Sequence, residues 1–220
     1  MRLPELFSGT GSVGRAFSEK GWDVVSLDLD PKAPCSIRCD VLDWDYTLFP
    51  TGFFDCVWAS PPCTEYSIAR TTAKTPRNRV LADSLVQCTL DIIRYFAPKT
   101  WWIENPYTGL LRTRPLVQGL PYKIVDYCRY GAPYRKRTLL LTNATSDFLC
   151  CNGRCGSIVD GRHVKTAQRG PGLIAGARRV GDGCTLGLLH ALPPELCAEI
   201  VHATMVNQVG ADEEPSSGNF

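Results

Sequence analysis

The sequence has no apolar run long enough to span a bilayer, and it has no large excess of charge of either sign. Met1-Arg2-Leu3-Pro4 leads directly into strand-like sequence, so we expect no secretory signal. The formal net charge of +2 does not by itself indicate a nucleic-acid-binding protein, and any basic surface must come from local clustering. With 44% hydrophobic and 21% charged residues, the composition is typical of a soluble globular chain.

Cysteine, by contrast, is abundant. Eleven cysteines without a secretory signal indicate a reducing, intracellular setting, either cytoplasm or nucleoid or the nucleus of a host, and argue against a disulfide framework. The odd number fits free thiols, a nucleophile or a metal site. A length of 220 residues is enough for one domain with a full core, or for one domain with a small insert.

The most informative stretch is a buried-strand pattern that ends in two prolines and a cysteine. Residues Phe53 to Trp58 are apolar, β-branched and aromatic, which predicts a buried strand. Pro61 and Pro62 end that strand and place Cys63 on a rigid turn. An α/β enzyme places reactive groups at such a strand end, although Cys63 could also be one of many small buried cysteines.

A strand, a glycine turn and a helix open the chain. The apolar segment 3–7 runs into Gly9, Gly11 and Gly14, which have Gly-x-Gly-x-x-Gly spacing, and residues 15–20 look helical. The glycines let the backbone approach a ligand, and the helix start supplies free N–H groups. On its own this spacing is a weak signal that also fits an ordinary tight turn.

Acidic residues follow the next two predicted strands. The strand 22–27 ends in Asp28, and a carboxylate at this position is the usual partner of a ribose hydroxyl pair. A short strand around Ile37 leads to Asp40, which could accept a hydrogen bond from an adenine amino group. The pattern fits S-adenosylmethionine at least as well as NAD, because a dinucleotide would need a larger cleft than this short chain suggests.

A polar, basic segment, residues 66–79, follows Cys63 directly. It is either a solvated loop or a mobile lid whose cations meet phosphates, and its position after the candidate nucleophile favours the lid. Its cations are Arg70, Lys74, Arg77 and Arg79. Apolar residues at helical spacing then predict an amphipathic helix over 80–97.

Another polar strand end lies further along the chain. The predicted strand 100–103 runs into Glu104 and Asn105, a carboxylate and an amide beside a proline. Two more strands, 122–127 and 138–141, are joined by a connection that contains Arg135, Lys136 and Arg137. These cations would suit an anionic substrate, although a surface charge run explains them equally well.

Taken together and in order, these stretches resemble the DNA cytosine-5 methyltransferase family. Residues 5–12 resemble its cofactor loop, residues 61–67 its nucleophile loop, residues 104–105 its Glu-Asn pair, and residues 130–137 its Arg-x-Arg segment. Residues 193–196 loosely resemble the element that closes the cofactor pocket. The resemblance covers residues 1–143 well and 185–206 weakly.

The resemblance implies an α/β, Rossmann-like S-adenosylmethionine-dependent methyltransferase fold, with a mostly parallel sheet and helices on both faces. It also implies a monomer that methylates carbon 5 of cytosine in DNA, and it leaves room for a separate partner that supplies specificity. Cys63 would attack carbon 6, Glu104 would offset charge at ring nitrogen 3, and Arg135 or Arg137 would orient the base or its phosphate. The residues implied to bind S-adenosylmethionine are Phe7, Gly9, Thr10, Gly11, Asp28, Asp40 and Pro61.

The chain departs from the family pattern at several points. Glu5 stands where the family usually has Asp, Tyr134 replaces a usual Gln, and the arginine pair lies one residue closer to Pro133. The Asn expected ahead of the last helix is not evident. Three alternatives stay open: an amino-group methyltransferase, the same chemistry on RNA, and an inactive DNA-binding relative.

The predicted organisation is a catalytic core over 1–143, a small basic insert over 144–184, a helix within 185–207 that completes the core, and a disordered tail over 208–220. The insert stands where the family usually has a large target-recognition region, so we expect short or loose recognition through phosphate contacts.

The insert contains a cluster of cysteines. Cys151, Cys155 and His163 could hold zinc, and the candidates for a fourth ligand are Cys150, Cys128 and Cys184. The second half of this pattern is not a regular Cys/His repeat, so a loop with incidental thiols is the alternative. The sequence therefore assigns no metal site.

Overall fold

The computed structural model describes residues 1–68, 75–153, 155–164, 167 and 190–210. Within this part of the chain, seven strands form one sheet. They are β1 (Arg2–Leu6), β2 (Asp23–Asp28), β3 (Ile37–Arg38), β4 (Cys56–Ala59), β5 (Thr100–Pro106), β6 (Tyr122–Asp126) and β7 (Arg137–Thr142). The predicted strand 53–58 begins only at Cys56, because the backbone just before it is in a turn in which the Phe53 N–H donates to the Pro50 carbonyl at 3.1 Å.

The spatial order of the strands is β3-β2-β1-β4-β5-β7-β6. The pairs from β3 to β5 are all parallel, whereas β7 runs antiparallel to both β5 and β6. Dinucleotide-binding folds have the strand order 3-2-1-4-5-6. This sheet differs from that order in one respect, since the antiparallel strand β7 lies between β5 and β6. The predicted Rossmann-like fold with a mostly parallel sheet is confirmed.

Helices cover both faces of the sheet. The described residues include α1 (Ser12–Ser18), α2 (Arg79–Phe96) and α3 (Pro194–Gly210). Side chains of α1 and α3 pack with Trp102 in one hydrophobic cluster, and side chains of α2 pack with Val57 in the other. None of the helices in the described ranges is long and apolar enough to cross a membrane.

The last helix is longer than predicted. It continues to Gly210, past the boundary predicted at residue 207, and so removes residues 208–210 from the predicted tail. The cause is a tertiary contact: the Gln208 side chain is buried and donates a hydrogen bond to the Asp55 carbonyl at 2.8 Å. Residues 211–220 lie outside the described part of the chain.

The insert contains a small hairpin formed by β8 (Ile158–Val159) and β9 (Arg162–His163). Its turn residues, Asp160 and Gly161, both have positive φ, at 50° and 72°. Asp-Gly is the preferred pair for a two-residue turn of this kind, so it is the signal from which the hairpin could have been predicted.

Candidate active site

The strand register places the functional segments side by side. Leu27, Leu6, Ala59 and Ile103 occupy one level across β2, β1, β4 and β5. One position further on, at the carboxyl edge of the parallel strands, lie Asp28, Phe7, Ser60 and Glu104. The predicted cofactor loop, nucleophile loop and Glu-Asn pair therefore meet at one edge of the sheet, where open α/β sheets bind their ligands.

The loop after β1 has the backbone geometry that its glycines predict. Phe7, Gly9 and Gly11 all have positive φ, at 56°, 52° and 65°. The Gly9 N–H donates to Asp28 Oδ2 at 2.7 Å, so the loop and the acid at the end of β2 are in direct contact. The Ser8 hydroxyl oxygen is buried and has no hydrogen-bond partner in the described residues, which leaves one polar group for a ligand to satisfy.

The third glycine of the motif serves packing rather than ligand approach. The Gly14 N–H donates to Glu5 Oε1 at 2.9 Å, and a Cβ at this position would lie 2.3 Å from Glu5 Oε2. Burial raises the pKa of Glu5 to about 7, although the Gly14 hydrogen bond and the charge of Arg15 oppose that shift. A side chain at position 14 would therefore displace the Glu5 carboxylate.

The turn that contains Cys63 is anchored from both sides. The Ser60 N–H donates to the Leu6 carbonyl at 3.1 Å, and the Asn105 side-chain amide donates to the Pro61 carbonyl at 2.9 Å. After Cys63, buried Tyr66 donates its hydroxyl hydrogen to Asp83 Oδ1 at 2.8 Å. This turn is thus tied directly to the strand end that holds Glu104 and Asn105.

The pKa of Cys63 depends on two residues that are distant from it in the sequence, Glu104 and Lys136. Burial raises the pKa of the Cys63 thiol, the nearby Glu104 carboxylate raises it further, and the Lys136 ammonium opposes both effects. The thiol is therefore protonated at neutral pH in the free protein, and a nucleophilic role would require a bound substrate or a base to generate the thiolate.

Glu104 is buried among polar groups. The Tyr127 hydroxyl donates to Glu104 Oε1 at 3.2 Å, and Lys136 Nζ lies 3.5 Å from the same oxygen. Lys136 Nζ also donates to the Tyr127 hydroxyl at 3.3 Å and lies 4.6 Å from the centre of its ring. The Asn105 Oδ1 atom is buried without a hydrogen-bond partner among the described residues. The Glu-Asn pair therefore keeps hydrogen-bonding capacity for a ligand.

The two predicted arginines lie on the other side of this segment. Arg137 donates to Asp126 from Nε at 3.0 Å and from Nη2 at 2.6 Å, and Arg135 Nε lies 3.6 Å from the same carboxylate. Burial raises the pKa of Asp126, but hydrogen bonds from Arg137 and from the Cys151 N–H hold it below its usual value. The structure thus brings Lys136, not Arg135 or Arg137, to Glu104.

Comparison with known proteins decides the family. No family model matches the chain. A Frog virus 3 (isolate Goorha) protein named "Probable DNA (cytosine-5)-methyltransferase" is 40% identical over an alignment of 225 positions, which covers 91% of this chain and 99% of that protein. The chain belongs to the DNA cytosine-5 methyltransferase family.

Solved structures similar to this chain are also methyltransferases. A protein described as "putative DNA modification methyltransferase encoded within prophage" (E. coli) is 18% identical, with a TM-score of 0.49 over 64% of this chain and 46% of that one. The S. pombe Dnmt2 methyltransferase is 18% identical, with a TM-score of 0.44 over 64% of this chain and 49% of that one. The Entamoeba histolytica methyltransferase EhMeth is 16% identical, with a TM-score of 0.47 over 68% of this chain and 55% of that one. The chain spans about half the length of these solved proteins.

The motif comparison did not predict that Lys136 lies beside Glu104. Side chains alternate along an extended segment, so Arg135 and Arg137 share one face and Lys136 takes the other. The arginine pair lies one residue closer to Pro133 than is usual in the cytosine-5 methyltransferases, and a shift of one residue exchanges the two faces. Counted from Pro133, Lys136 therefore takes the place of the first arginine of the family pattern, and this departure was the available signal.

Two further predictions lie at the margin of the site. Asp40 Oδ1 accepts the Leu42 N–H at 3.0 Å just after β3, and Asp40 remains partly exposed. In the predicted lid, Arg77 donates to the carbonyls of Ser67 at 2.5 Å and Glu65 at 3.3 Å, and so braces the turn after Cys63. Of the other predicted lid cations, Arg79 is the first residue of α2, and Arg70 and Lys74 lie outside the described residues.

Proposed function

We propose that this protein transfers a methyl group from S-adenosylmethionine to carbon 5 of cytosine in DNA through a covalent adduct with Cys63. The main support is the position of Cys63 and Glu104 at the ends of adjacent parallel strands, connected by the 2.9 Å hydrogen bond from Asn105 to Pro61. Nucleophilic catalysis needs a positioned thiol and a second group that accommodates the charge developing on the substrate.

The reaction requires the thiol because carbon 5 of cytosine is a poor nucleophile. The Cys63 thiolate forms a bond to carbon 6, and the electrons of the 5,6 double bond move into the ring. Glu104, held by Tyr127 and Lys136, offsets or protonates the charge at ring nitrogen 3, which leaves an enamine with a nucleophilic carbon 5. Loss of the carbon 5 proton after methylation restores the double bond and expels the thiolate.

The residues at the carboxyl edge of β1 and β2 fit the cofactor. S-adenosylmethionine supplies an electrophilic methyl group when it is bound. The loop from Phe7 to Gly11, with Thr10 inside it, would hold the cofactor together with Asp28, Asp40 and Pro61. The unsatisfied buried Ser8 hydroxyl and the positive φ values of this loop support that assignment.

The target cytosine must leave the base stack, because attack on carbon 6 needs access to the face of the ring. The short insert favours recognition of few bases and binding dominated by phosphate contacts, so affinity should fall steeply as salt increases. DNA is the proposed substrate, and RNA is the alternative that the experiment below includes.

The test is a mechanism-based trap. Fluorine at carbon 5 cannot leave as a cation, so the adduct formed with 5-fluorocytosine persists after methyl transfer. We expect wild-type protein with S-adenosylmethionine and 5-fluorocytosine DNA to give a protein–DNA band on a denaturing gel. Cys63→Ala should give none, whereas the control Cys88→Ser, which changes a partly buried thiol on α2, should behave like wild type.

Three results would overturn the proposal. These are normal methylation by Cys63→Ala, methyl groups on the exocyclic nitrogen, and trapping on 5-fluorocytosine RNA in preference to DNA of the same sequence. The first rejects the nucleophile, the second rejects the reaction, and the third rejects the substrate.

A further inference from the structure

We propose that the insert contains a structural zinc site formed by Cys128, Cys151, Cys155 and His163. One ligand atom from each of these four residues lies within 4.8 Å of all the others. Cys128 comes from the turn after β6, Cys151 and Cys155 from the start of the insert, and His163 from strand β9 of the hairpin. Four residues from three separate segments therefore converge on one point.

The distances match a tetrahedron around a metal ion. His163 Nε2 lies 3.4 Å from Cys128 Sγ, 3.4 Å from Cys151 Sγ and 3.2 Å from Cys155 Sγ. With Zn–S of about 2.3 Å and Zn–N of about 2.0 Å, the sulfur–nitrogen edge of a tetrahedral site is about 3.5 Å. Hydrogen bonding alone does not explain the cluster, because one imidazole nitrogen cannot bond three thiols at once.

The composition of the cluster points to zinc. Three thiolates and one imidazole form a closed Cys₃His set, which is characteristic of structural zinc. Of the other two candidate ligands, Cys150 directs its sulfur to the Ile124 carbonyl at 3.0 Å, and Cys184 lies outside the described residues. The fourth ligand is therefore Cys128, which reaches the insert from the catalytic core.

The insert needs such a site because it lacks a core of its own. None of the described apolar side chains between residues 149 and 164 is buried. Its hairpin has only two residues in each strand, and an isolated two-stranded hairpin is marginal in water. Small segments of this kind usually depend on a metal or a disulfide, and the three cysteines of this cluster are free thiols.

The zinc site would also secure the neighbouring polar contacts of the core. Cys128 directly follows Tyr127, whose hydroxyl is bonded to Glu104, and the Cys151 N–H donates to Asp126 at 2.8 Å. A metal that joins these two cysteines therefore fixes the insert against the end of β6, where Asp126 and Tyr127 lie. Its role is structural, since all four ligand positions come from the protein.

The first test is metal content. Wild-type protein purified under reducing conditions without chelator should contain one zinc per chain, as measured by inductively coupled plasma mass spectrometry. Cys151→Ser and His163→Ala should each lose at least half of this zinc. The matched control is Cys150→Ser, which changes the adjacent cysteine outside the cluster and should keep one zinc.

A second measurement covers variants that fail to fold. Wild-type protein should protect Cys128, Cys151 and Cys155 from alkylation until a strong chelator is added, as read by peptide mass spectrometry. Zinc well below one equivalent in the wild type, without uptake of added zinc or cobalt, would reject the site. So would iron in place of zinc, a disulfide within the cluster, or loss of the metal from Cys150→Ser.

Discussion

Two buried carboxylates on either side of β7 are held in different ways. Asp126 on β6 is fully buried and accepts hydrogen bonds from Arg137 at 2.6 and 3.0 Å and from the Cys151 N–H at 2.8 Å. Glu104 on β5 is also buried, but its contacts to Tyr127 and Lys136 are longer, at 3.2 and 3.5 Å. Both carboxylates face a cation, yet only Asp126 has short hydrogen bonds to each oxygen.

This difference separates structure from chemistry. A buried carboxylate with a full set of short hydrogen bonds is fixed in its charge state and position, as Asp126 is. A buried carboxylate with long contacts, beside a thiol of raised pKa and an unsatisfied amide oxygen, can still bind a substrate. The comparison predicts that changes at position 104 alter the reaction and that changes at position 126 alter stability.

The largest effect on rate is expected for Glu104→Gln. The amide keeps the shape of the side chain but removes the acid that offsets charge at ring nitrogen 3. Loss of a positioned acid should slow methyl transfer by roughly 10²–10⁴-fold. Single-turnover methylation with saturating DNA measures this rate. A rate within threefold of wild type would show that Glu104 does not act on the base.

Asp126→Asn should chiefly reduce stability. The substitution leaves Arg137 without its anionic partner. Breaking a buried ion pair costs about 3–5 kcal/mol of folding stability. We expect the low end of this range, about 3 kcal/mol, because the Arg137 side chain is 29% exposed. Urea denaturation measures the free energy of unfolding. Glu104→Gln should change this free energy less than Asp126→Asn does, and the reverse order would contradict the comparison.

The core was largely predictable from the sequence because local signals and global fold agree there. Buried strands that end in Asp28, Cys63 and Glu104 follow one another along the chain, and parallel pairing brings their ends to one edge. The position of Lys136 beside Glu104, with both arginines on the opposite face of the segment, was harder to predict. A shift of one residue in an extended segment leaves its composition unchanged but reverses which side chains lie on each face.

The insert could not be predicted in the same way. The conformation of the insert depends on contacts between residues distant in the sequence, such as Cys128 with His163. No periodic apolar pattern in the sequence predicts these contacts. The local Asp160-Gly161 pair fixes the hairpin turn, but it does not reveal where the hairpin packs. Spacing alone left three candidates for the fourth ligand, and only the geometry singles out Cys128.

Glu5 gives a third buried acid, and its effect should depend on pH. Its pKa is raised from 4.5 to about 7, so the folded state favours the protonated form. The associated stability is complete below about pH 4.5 and is lost as the pH rises through 7, by about 3 kcal/mol in total.

Glu5→Gln should remove this dependence, because the amide stays neutral. Urea denaturation of both proteins between pH 4.5 and 8 measures the difference, and subtraction of the two curves cancels most contributions of other groups, including Arg15 and Asp28 nearby. Wild type should lose stability relative to the variant as pH rises. Parallel curves would mean that the Glu5 carboxyl is solvated rather than buried.

The smallest effect is expected for Lys136→Met, which tests the exchange of faces. The Lys136 ammonium opposes the rise in the pKa of Cys63, so its removal should shift the alkylation of Cys63 by iodoacetamide to higher pH. Methyl transfer should slow by roughly tenfold, since a hydrogen bond to a charged group contributes about 1.5 kcal/mol. Peptide mass spectrometry separates Cys63 from the other cysteines.

The matched control is Arg135→Met, which removes a neighbouring cation from the opposite face. Arg135 lies 3.6 Å from Asp126, so its loss should leave the pH profile of Cys63 alkylation in place. Lys136→Arg should restore most of the rate, because it returns a cation to the position that the family fills with arginine. If Arg135→Met shifted the profile and Lys136→Met did not, the arginine face would be the one that serves the reaction.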